Sequence, residues 1–165
     1  PSYERFDTLG LNYRMNDVSA AVGIAQLDRV KEIVGQRKKI GLYLRHKIEN
    51  KYEWFLPQLT PSHCEHSYYT FSCQYLGNEI KGKSWKEFYN EFIKRGGDGF
   101  YGCVKNPYLE PALIDMFKSS FNSDYALCRN AEKLQKDVMC FKTNYRDFNE
   151  FETQCNILLE LLDEW

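Results

Sequence analysis

His63, Cys64 and His66 place two imidazoles and a thiol close together, the donor types that hold a soft metal ion. Structural zinc sites usually match such a cluster with a second pair at defined spacing, so an exposed turn ahead of a strand is the expected reading. The run Arg95-Gly96-Gly97-Asp98-Gly99 has the composition of a phosphate-cradling glycine loop. Such a loop follows a strand and opens a helix, whereas this run follows a helix-forming stretch and precedes an apolar one, so helix termination is expected instead. Asp17, Asp28 and Glu32 carry acid–base chemistry in principle, but their positions suit an acidic first turn and a solvated helix face. Asn12 and Arg14 offer an amide and a guanidinium two residues apart. On residue type alone they serve equally as a turn cap and a surface ion pair, or as donors to phosphate oxygens. No nucleophile–base pair follows from spacing.

The elements that must position these residues are legible in outline. After a leading segment over residues 1–15, Asn16 supplies a capping oxygen and Asp17 an acidic first turn for a long helix over residues 16–50. Val18, Val22, Ala25, Val30, Ile33, Val34, Ile40, Leu44 and Ile48 recur at mostly helical spacing and predict its apolar face. Gly23, Gly35 and Gly41 each weaken a helix by roughly 1 kcal/mol relative to alanine, which marks close packing or a bend. Strands are predicted over Trp54–Leu59, Tyr68–Leu76, Gly99–Val104 and Val138–Lys142. Ser84 caps a helix to Lys94; shorter helices are predicted near Pro111–Lys118 and Asp124–Lys136, and a last one over Asn149–Leu162. Residues 51–165 thus form one small domain, giving an α+β chain: a long helix, then a small antiparallel or mixed sheet with packed helices.

Composition narrows the class. The 165 residues carry a net charge of −1 with both signs spread along the chain, which excludes a nucleic-acid footprint. An aromatic share of 16% points to an aromatic-rich core. No apolar stretch spans a bilayer and no signal peptide opens the chain. The six cysteines form no C-x-x-C pair and several lie in apolar runs, so reduced, buried thiols in a cytoplasmic protein are expected. The chain starts at Pro1 inside a loop-like stretch, as a fragment of a longer polypeptide would.

The stretch Gly10-Leu11-Asn12-Tyr13-Arg14-Met15-Asn16-Asp17-Val18-Ser19-Ala20-Ala21-Val22-Gly23, followed by Gln26-Leu27 and then Arg37, closely resembles a segment of the DegT/DnrJ/StrS-type sugar aminotransferases. Their version reads G-x-N-x-R-M-x-(D/E)-x-x-A-A-x-x-x-x-Q-L with an arginine about ten residues on. Gly96-Gly97-Asp98-Gly99 through Tyr108-Leu109-Glu110-Pro111-Ala112 resembles the family's strand and P-L-H-x-Q-P-A turn, with Tyr108 in place of histidine and Glu110 in place of glutamine. Ala131-Glu132-Lys133-Leu134 is similar to the A-E-x-L segment ahead of the family's final helix.

The resemblance implies the C-terminal portion of a pyridoxal-phosphate-dependent enzyme, with the small domain of the aspartate-aminotransferase-like fold joined by an interdomain helix. The family's large domain precedes this region and carries the Schiff-base lysine; Lys31, Lys38, Lys39 and the later lysines do not lie in that motif. No residue here is therefore assigned as catalytic, and the segment alone is expected to be inactive. By the same resemblance, Asn12 and Arg14 contact the cofactor of the partner subunit in a homodimer with shared active sites, and Tyr108 faces the substrate. The implied reaction moves an amino group, from glutamate, to a keto group of a nucleotide-linked deoxysugar. The alternatives are a dehydrase of the same family, which replaces the active-site lysine with histidine, and a non-catalytic interaction module.

Overall fold

A computed structural model of the chain describes residues 10–11, 13–103, 105–120 and 128–165. It divides into two compact units, residues 1–33 and residues 34–165, with helix α1 (Asp17–Ile48) contributing to both.

In the first unit the Asn16 side chain accepts a hydrogen bond from the Ser19 N–H at 2.8 Å, and its carbonyl accepts from Ala20 N–H at 3.0 Å. This is the expected cap, with Asp17 in the first turn. The apolar residues of this half are not buried in the chain: Val18, Val22 and Leu27 are 76%, 58% and 69% exposed. Helical spacing sorts residues onto faces, but it does not say what covers a face.

The second unit is built on a four-stranded antiparallel sheet of β1 (Phe55–Pro57), β2 (Thr70–Tyr75), β3 (Phe100–Tyr101) and β4 (Val138–Lys142), in the order β1-β2-β4-β3. Alternation along each strand sorts the side chains. Phe55, Tyr75, Phe71, Cys73, Met139, Phe141 and Phe100 fall on one face and are buried, while Leu56, Gln74, Ser72, Thr70 and Tyr101 fall on the other.

Helices cover the buried face. Ile40, Leu44 and Ile48 of α1, Phe88 and Phe92 of α3 (Trp85–Lys94), and Phe151, Cys155, Leu158, Leu161 and Leu162 of α6 (Phe148–Glu164) join the same core cluster. Phe88 sits at its centre, with Phe55, Tyr75, Phe100 and Trp165 rings 5.8, 5.5, 6.0 and 5.2 Å away. Burying one such phenylalanine contributes about 1.5–3 kcal/mol. Ser84 and Glu87 close a reciprocal capping box at the start of α3. The helix ends as the glycine run predicts: Gly96 takes φ +90°, its N–H bonds the Ile93 carbonyl, and the Gly97 N–H bonds the Phe92 carbonyl at 2.9 Å. Helix α6 begins at Phe148, one residue earlier than expected, because the Asp147 side chain accepts from the Asn149 N–H.

Three features depart from the sequence expectations, and the connection between β3 and β4 follows them where it is described. The first and third strands are trimmed to three and two residues. A four-residue helix α2 (Gly77–Ile80), which carries no side-chain cap, follows β2 unannounced. Between β3 and β4 lie a 3-10 turn (Pro107–Leu109), α4 (Pro111–Ser120) and α5 (Arg129–Gln135); residues 124–127 of the expected Asp124–Lys136 helix are outside the described residues. Of the six thiols, Cys73, Cys140 and Cys155 are buried, but Cys64, Cys103 and Cys128 are exposed, correcting the expectation that all are core groups. Burial pushes the Cys155 thiol up to about 11.

The glycines of α1 differ in cause. A Cβ on Gly41 would stand 2.2 Å from Cγ of the buried Tyr68 ring, whereas one on Gly35 would meet nothing within 4 Å. Gly41 is thus a packing requirement and Gly35 is not. Urea melts of the two alanine variants should move in opposite directions: Gly35→Ala gains roughly 0.5–1 kcal/mol from helix propensity, and Gly41→Ala loses about 1–3 kcal/mol to overpacking. Equal gains at both positions would show that the Tyr68 ring yields freely.

Candidate functional site

Asn12 lies outside the described residues. Arg14 belongs to the first unit, exposed in the irregular segment that leads into α1. Tyr108 belongs to the second unit, half-buried in the 3-10 turn that Pro107 starts. Its hydroxyl donates to Glu132 Oε1 at 3.0 Å and accepts from Asn106 Nδ2 at 3.1 Å. The Asn106 N–H in turn donates to Gln135 Oε1 at 2.7 Å, tying the turn to α5. Burial first, and then the Glu132 carboxylate, hold the Tyr108 phenol above its ordinary range. At neutral pH the group is a hydrogen-bond donor held in one orientation, not a base.

A second constellation was not foreseen in the sequence. Three consecutive side chains of α1 reach the rim of the sheet. Gln36 donates to the Tyr145 and Arg146 carbonyls at 2.7 and 3.0 Å, Arg37 donates to the Tyr69 carbonyl at 2.7 Å, and Lys38 pairs with Glu65. Thr143, fully buried, donates to the Tyr68 carbonyl at 2.6 Å. His66 is bound into the same turn: Nδ1 accepts from the Tyr68 N–H at 2.8 Å, and Nε2 lies 3.0 Å from the Gln58 amide. Both imidazole nitrogens thereby serve the fold, while His63 and Cys64 are exposed. Arg37 is visible in the sequence as the arginine that follows Gln26-Leu27, but its partners are 32 and 106 residues away.

The glycine run also acquires a defined role. Asp98 pairs with Lys142, accepts from the Tyr145 hydroxyl at 2.7 Å, and its N–H donates to Gln154 Oε1 at 2.8 Å. Asp98 therefore joins the end of α3 to β4 and α6. Burial, followed by the Asp98 hydrogen bond, pushes the Tyr145 phenol far up, so it stays protonated. A small cavity beside it, about 20 Å³ and lined by Asp98, Tyr145, Gln154 and Cys155, has room for no more than a water molecule. Several lysines are engaged as cations: Lys38 with Glu65, Lys51 with Asp163, and Lys142 with Asp98. The Asp163 partner raises the Lys51 ammonium above its usual range. A Schiff-base amine needs the opposite shift, toward the neutral form.

Neither unit contains, among the described residues, a grouping of His, Cys, Asp and Glu able to hold a metal ion, and no described helix is long and apolar enough to cross a membrane.

Comparison with known proteins assigns this arrangement to a family. The sequence profile of the DegT/DnrJ/EryC1/StrS aminotransferase family matches residues 2–149. The lipopolysaccharide biosynthesis protein RfbH of Salmonella typhimurium is 41% identical over 56 residues, 33% of this chain and 13% of RfbH. Among solved structures, Helicobacter pylori PseC, an aminotransferase involved in the biosynthesis of pseudoaminic acid, superposes with a TM-score of 0.71 at 16% identity, over 98% of this chain and 41% of its own. The E. coli GDP-4-keto-6-deoxy-D-mannose-3-dehydratase, solved with bound hydrated PLP, superposes with a TM-score of 0.70 at 22% identity, over 93% and 38%. The chain thus spans about two fifths of the length of these solved relatives. At such identities the superpositions establish the fold alone, that of part of the aspartate-aminotransferase-like fold. With the profile matching nearly the whole length, the chain belongs to the DegT/DnrJ/EryC1/StrS aminotransferase family.

Proposed function

We propose that this chain is the C-terminal part of a cytoplasmic, homodimeric enzyme that moves an amino group from glutamate to a keto group of a nucleotide-linked deoxysugar. The family match over residues 2–149 carries this reading. In it, α1 is the interdomain helix, and the second unit is the small domain.

Pyridoxal phosphate is the cofactor the reading requires, and the donor set here fits one end of it. Arg14 presents an exposed guanidinium on irregular backbone, and Asn12, two residues earlier, carries an amide. Both donate only N–H groups to an anion, which suits phosphate oxygens and not the aldehyde. When bound, the cofactor supplies the electron sink for amino-group chemistry. Asn12 and Arg14 would hold its phosphate from the neighbouring subunit. Tyr108, kept protonated and oriented by Glu132 and Asn106, would orient the sugar substrate without carrying a proton.

The direct test is to express the full-length protein and assay it with glutamate and a panel of nucleotide-linked 4-keto sugars. Appearance of the amino sugar with stoichiometric 2-oxoglutarate is the expected result. Loss of a ring hydroxyl without net amination would assign the dehydrase reaction instead, and no turnover or cofactor absorbance would assign an interaction module.

Two substitutions examine the residue roles. Tyr108→Phe should raise KM for the sugar nucleotide with a modest effect on kcat, because the phenol orients and does not transfer protons; an unchanged KM would reduce Tyr108 to a packing residue. Asn12→Ala removes a hydrogen bond to a charged group, about 1.5–3 kcal/mol, so cofactor affinity should fall by roughly one to two orders of magnitude. Whether the contact crosses subunits is decided by mixing Asn12→Ala subunits with subunits lacking the Schiff-base lysine. A contact in trans leaves one intact site per heterodimer and partly restores activity. A contact in cis leaves a defect in every site, and no recovery appears.

A further inference from the structure

The turn that opens β2 is left-handed at a bulky residue: Tyr68 has φ +50°. That conformation is strained for a non-glycine residue and persists only where its surroundings enforce it. Here four groups do so. Thr143 donates to the Tyr68 carbonyl, Arg37 Nη1 donates to the Tyr69 carbonyl, His66 Nδ1 accepts the Tyr68 N–H, and Gly41 leaves room for the Tyr68 ring. The consequence is directional. The Tyr68 ring is buried at 2% exposure, while its neighbour Tyr69 stands 73% exposed with the Arg37 guanidinium 5.2 Å above its ring centroid. Tyr101, 52% exposed on β3, stands on the same face of the sheet as Thr70, and the charge of Arg37 and the Tyr69 ring both act on its phenol.

Arg37 differs from other arginines of the chain in how its charge is met. Arg29, Arg45 and Arg95 are each paired with glutamate. The partners of Arg37 are a main-chain oxygen, the Thr143 hydroxyl at 3.5 Å and an aromatic face, none of which carries a formal charge. Both bonds use Nη1, and among the described residues Nε and Nη2 have no acceptor. A guanidinium fixed along one edge and seated on a ring presents its remaining N–H donors as a pre-oriented fork, which matches the two oxygens of a carboxylate or phosphate.

We propose that Arg37, braced by the Tyr68–Tyr69 turn, seated on Tyr69 and flanked by Tyr101, is an oxyanion-binding subsite that takes a carboxylate or phosphate group. The subsite goes beyond the roles assigned to Asn12, Arg14 and Tyr108 and stands without them. Its parts come from α1, the β2 turn and β3, and the brace spares the ligand most of the ordering cost.

The test is an NMR titration of the full-length protein, following the Arg37 Nε–Hε resonance, with inorganic phosphate in one arm and acetate in the other at constant ionic strength. A saturable shift is expected, and the tighter arm identifies the source. Arg37→Lys, which keeps the charge but loses the fork, should weaken binding by about ten-fold or more, read from the Tyr69 and Tyr101 ring resonances. Because Arg37 also braces the turn, Tyr69→Leu and Tyr101→Phe carry the test independently: each changes an exposed ring, should leave the melting temperature in place, and should weaken binding several-fold. Shifts no larger than those of the exposed Arg146, or an affinity unchanged in both tyrosine variants, would overturn the subsite. Amino transfer measured on the same preparation separates the two claims. Turnover without an anion-dependent Arg37 shift rejects the subsite alone; a saturable shift without turnover supports the subsite and rejects only the enzymatic reading.

Discussion

The hydrogen bond from the buried Thr143 hydroxyl to the Tyr68 carbonyl, 2.6 Å long, is the constraint on which the second unit closes. It joins residues 75 apart in sequence, just beyond the Thr70↔Lys142 end of the β2–β4 ladder. A slip of one residue in that ladder would turn the core side chains of the shifted strand outward, Phe71 and Cys73 if β2 moves or Met139 and Phe141 if β4 does. The Thr143 bond opposes such a slip at the ladder's end, because leaving the carbonyl buried and unpaired costs about 1–3 kcal/mol. The same hydroxyl lies 3.1 Å from the Tyr69 carbonyl, to which Arg37 of α1 also donates. One threonine therefore couples strand register, helix attachment and the left-handed turn.

Much of this fold was legible because local signals and burial agreed. The β2 and β4 strands lie inside runs rich in aromatic and β-branched residues, and the core side chains alternate in β2 as period-two patterning requires. Ser84 with Glu87, and Gly96 with Gly97, mark the two ends of α3 by capping chemistry that needs no tertiary partner. Legibility failed where the deciding partner is distant. Pairing shortens β3 to Phe100–Tyr101, although the apolar run extends further, because β4 offers partners only to Phe100 and Tyr101. Helix α2 escaped notice since four residues carry no periodicity. The exposed thiols Cys64, Cys103 and Cys128 lie in or beside turns and short helices whose placement their apolar neighbours do not announce.

The candidate site was legible in a different way. Asn12, Arg14 and Tyr108 have residue types that suit a phosphate or a polar substrate, yet only the family resemblance singles them out from the other surface polar residues. The Arg37 and Asp98 constellations gave the opposite problem. Asp98 had a local reading, a helix-terminating loop, and Arg37 had its place in the resemblance; neither was complete. Arg37 finds Tyr69 and Thr143, and Asp98 finds Lys142, Tyr145 and Gln154, at sequence separations that no window of local pattern covers.

The geometry also joins two fragments of resemblance that the sequence keeps apart. Tyr108 comes from the turn likeness and Glu132 from the Ala131-Glu132-Lys133-Leu134 likeness, and they meet through a 3.0 Å hydrogen bond across 24 residues. That contact bears on the departure from the family pattern, histidine to tyrosine. A histidine can both take up and release a proton near neutral pH, whereas a phenol holds its one proton well above that range. Here the proton is directed at Glu132, and the phenol is raised further by burial and by that carboxylate. Asn106, two residues before Tyr108, donates to the same oxygen and is itself anchored to Gln135 of α5. The ring is thereby held by one contact from its own turn and one from α5. The substitution exchanges a group suited to proton transfer for one suited to holding a fixed direction. Near neutral pH this phenol therefore offers a directed hydrogen bond and not the proton uptake and release that a histidine in its place would allow.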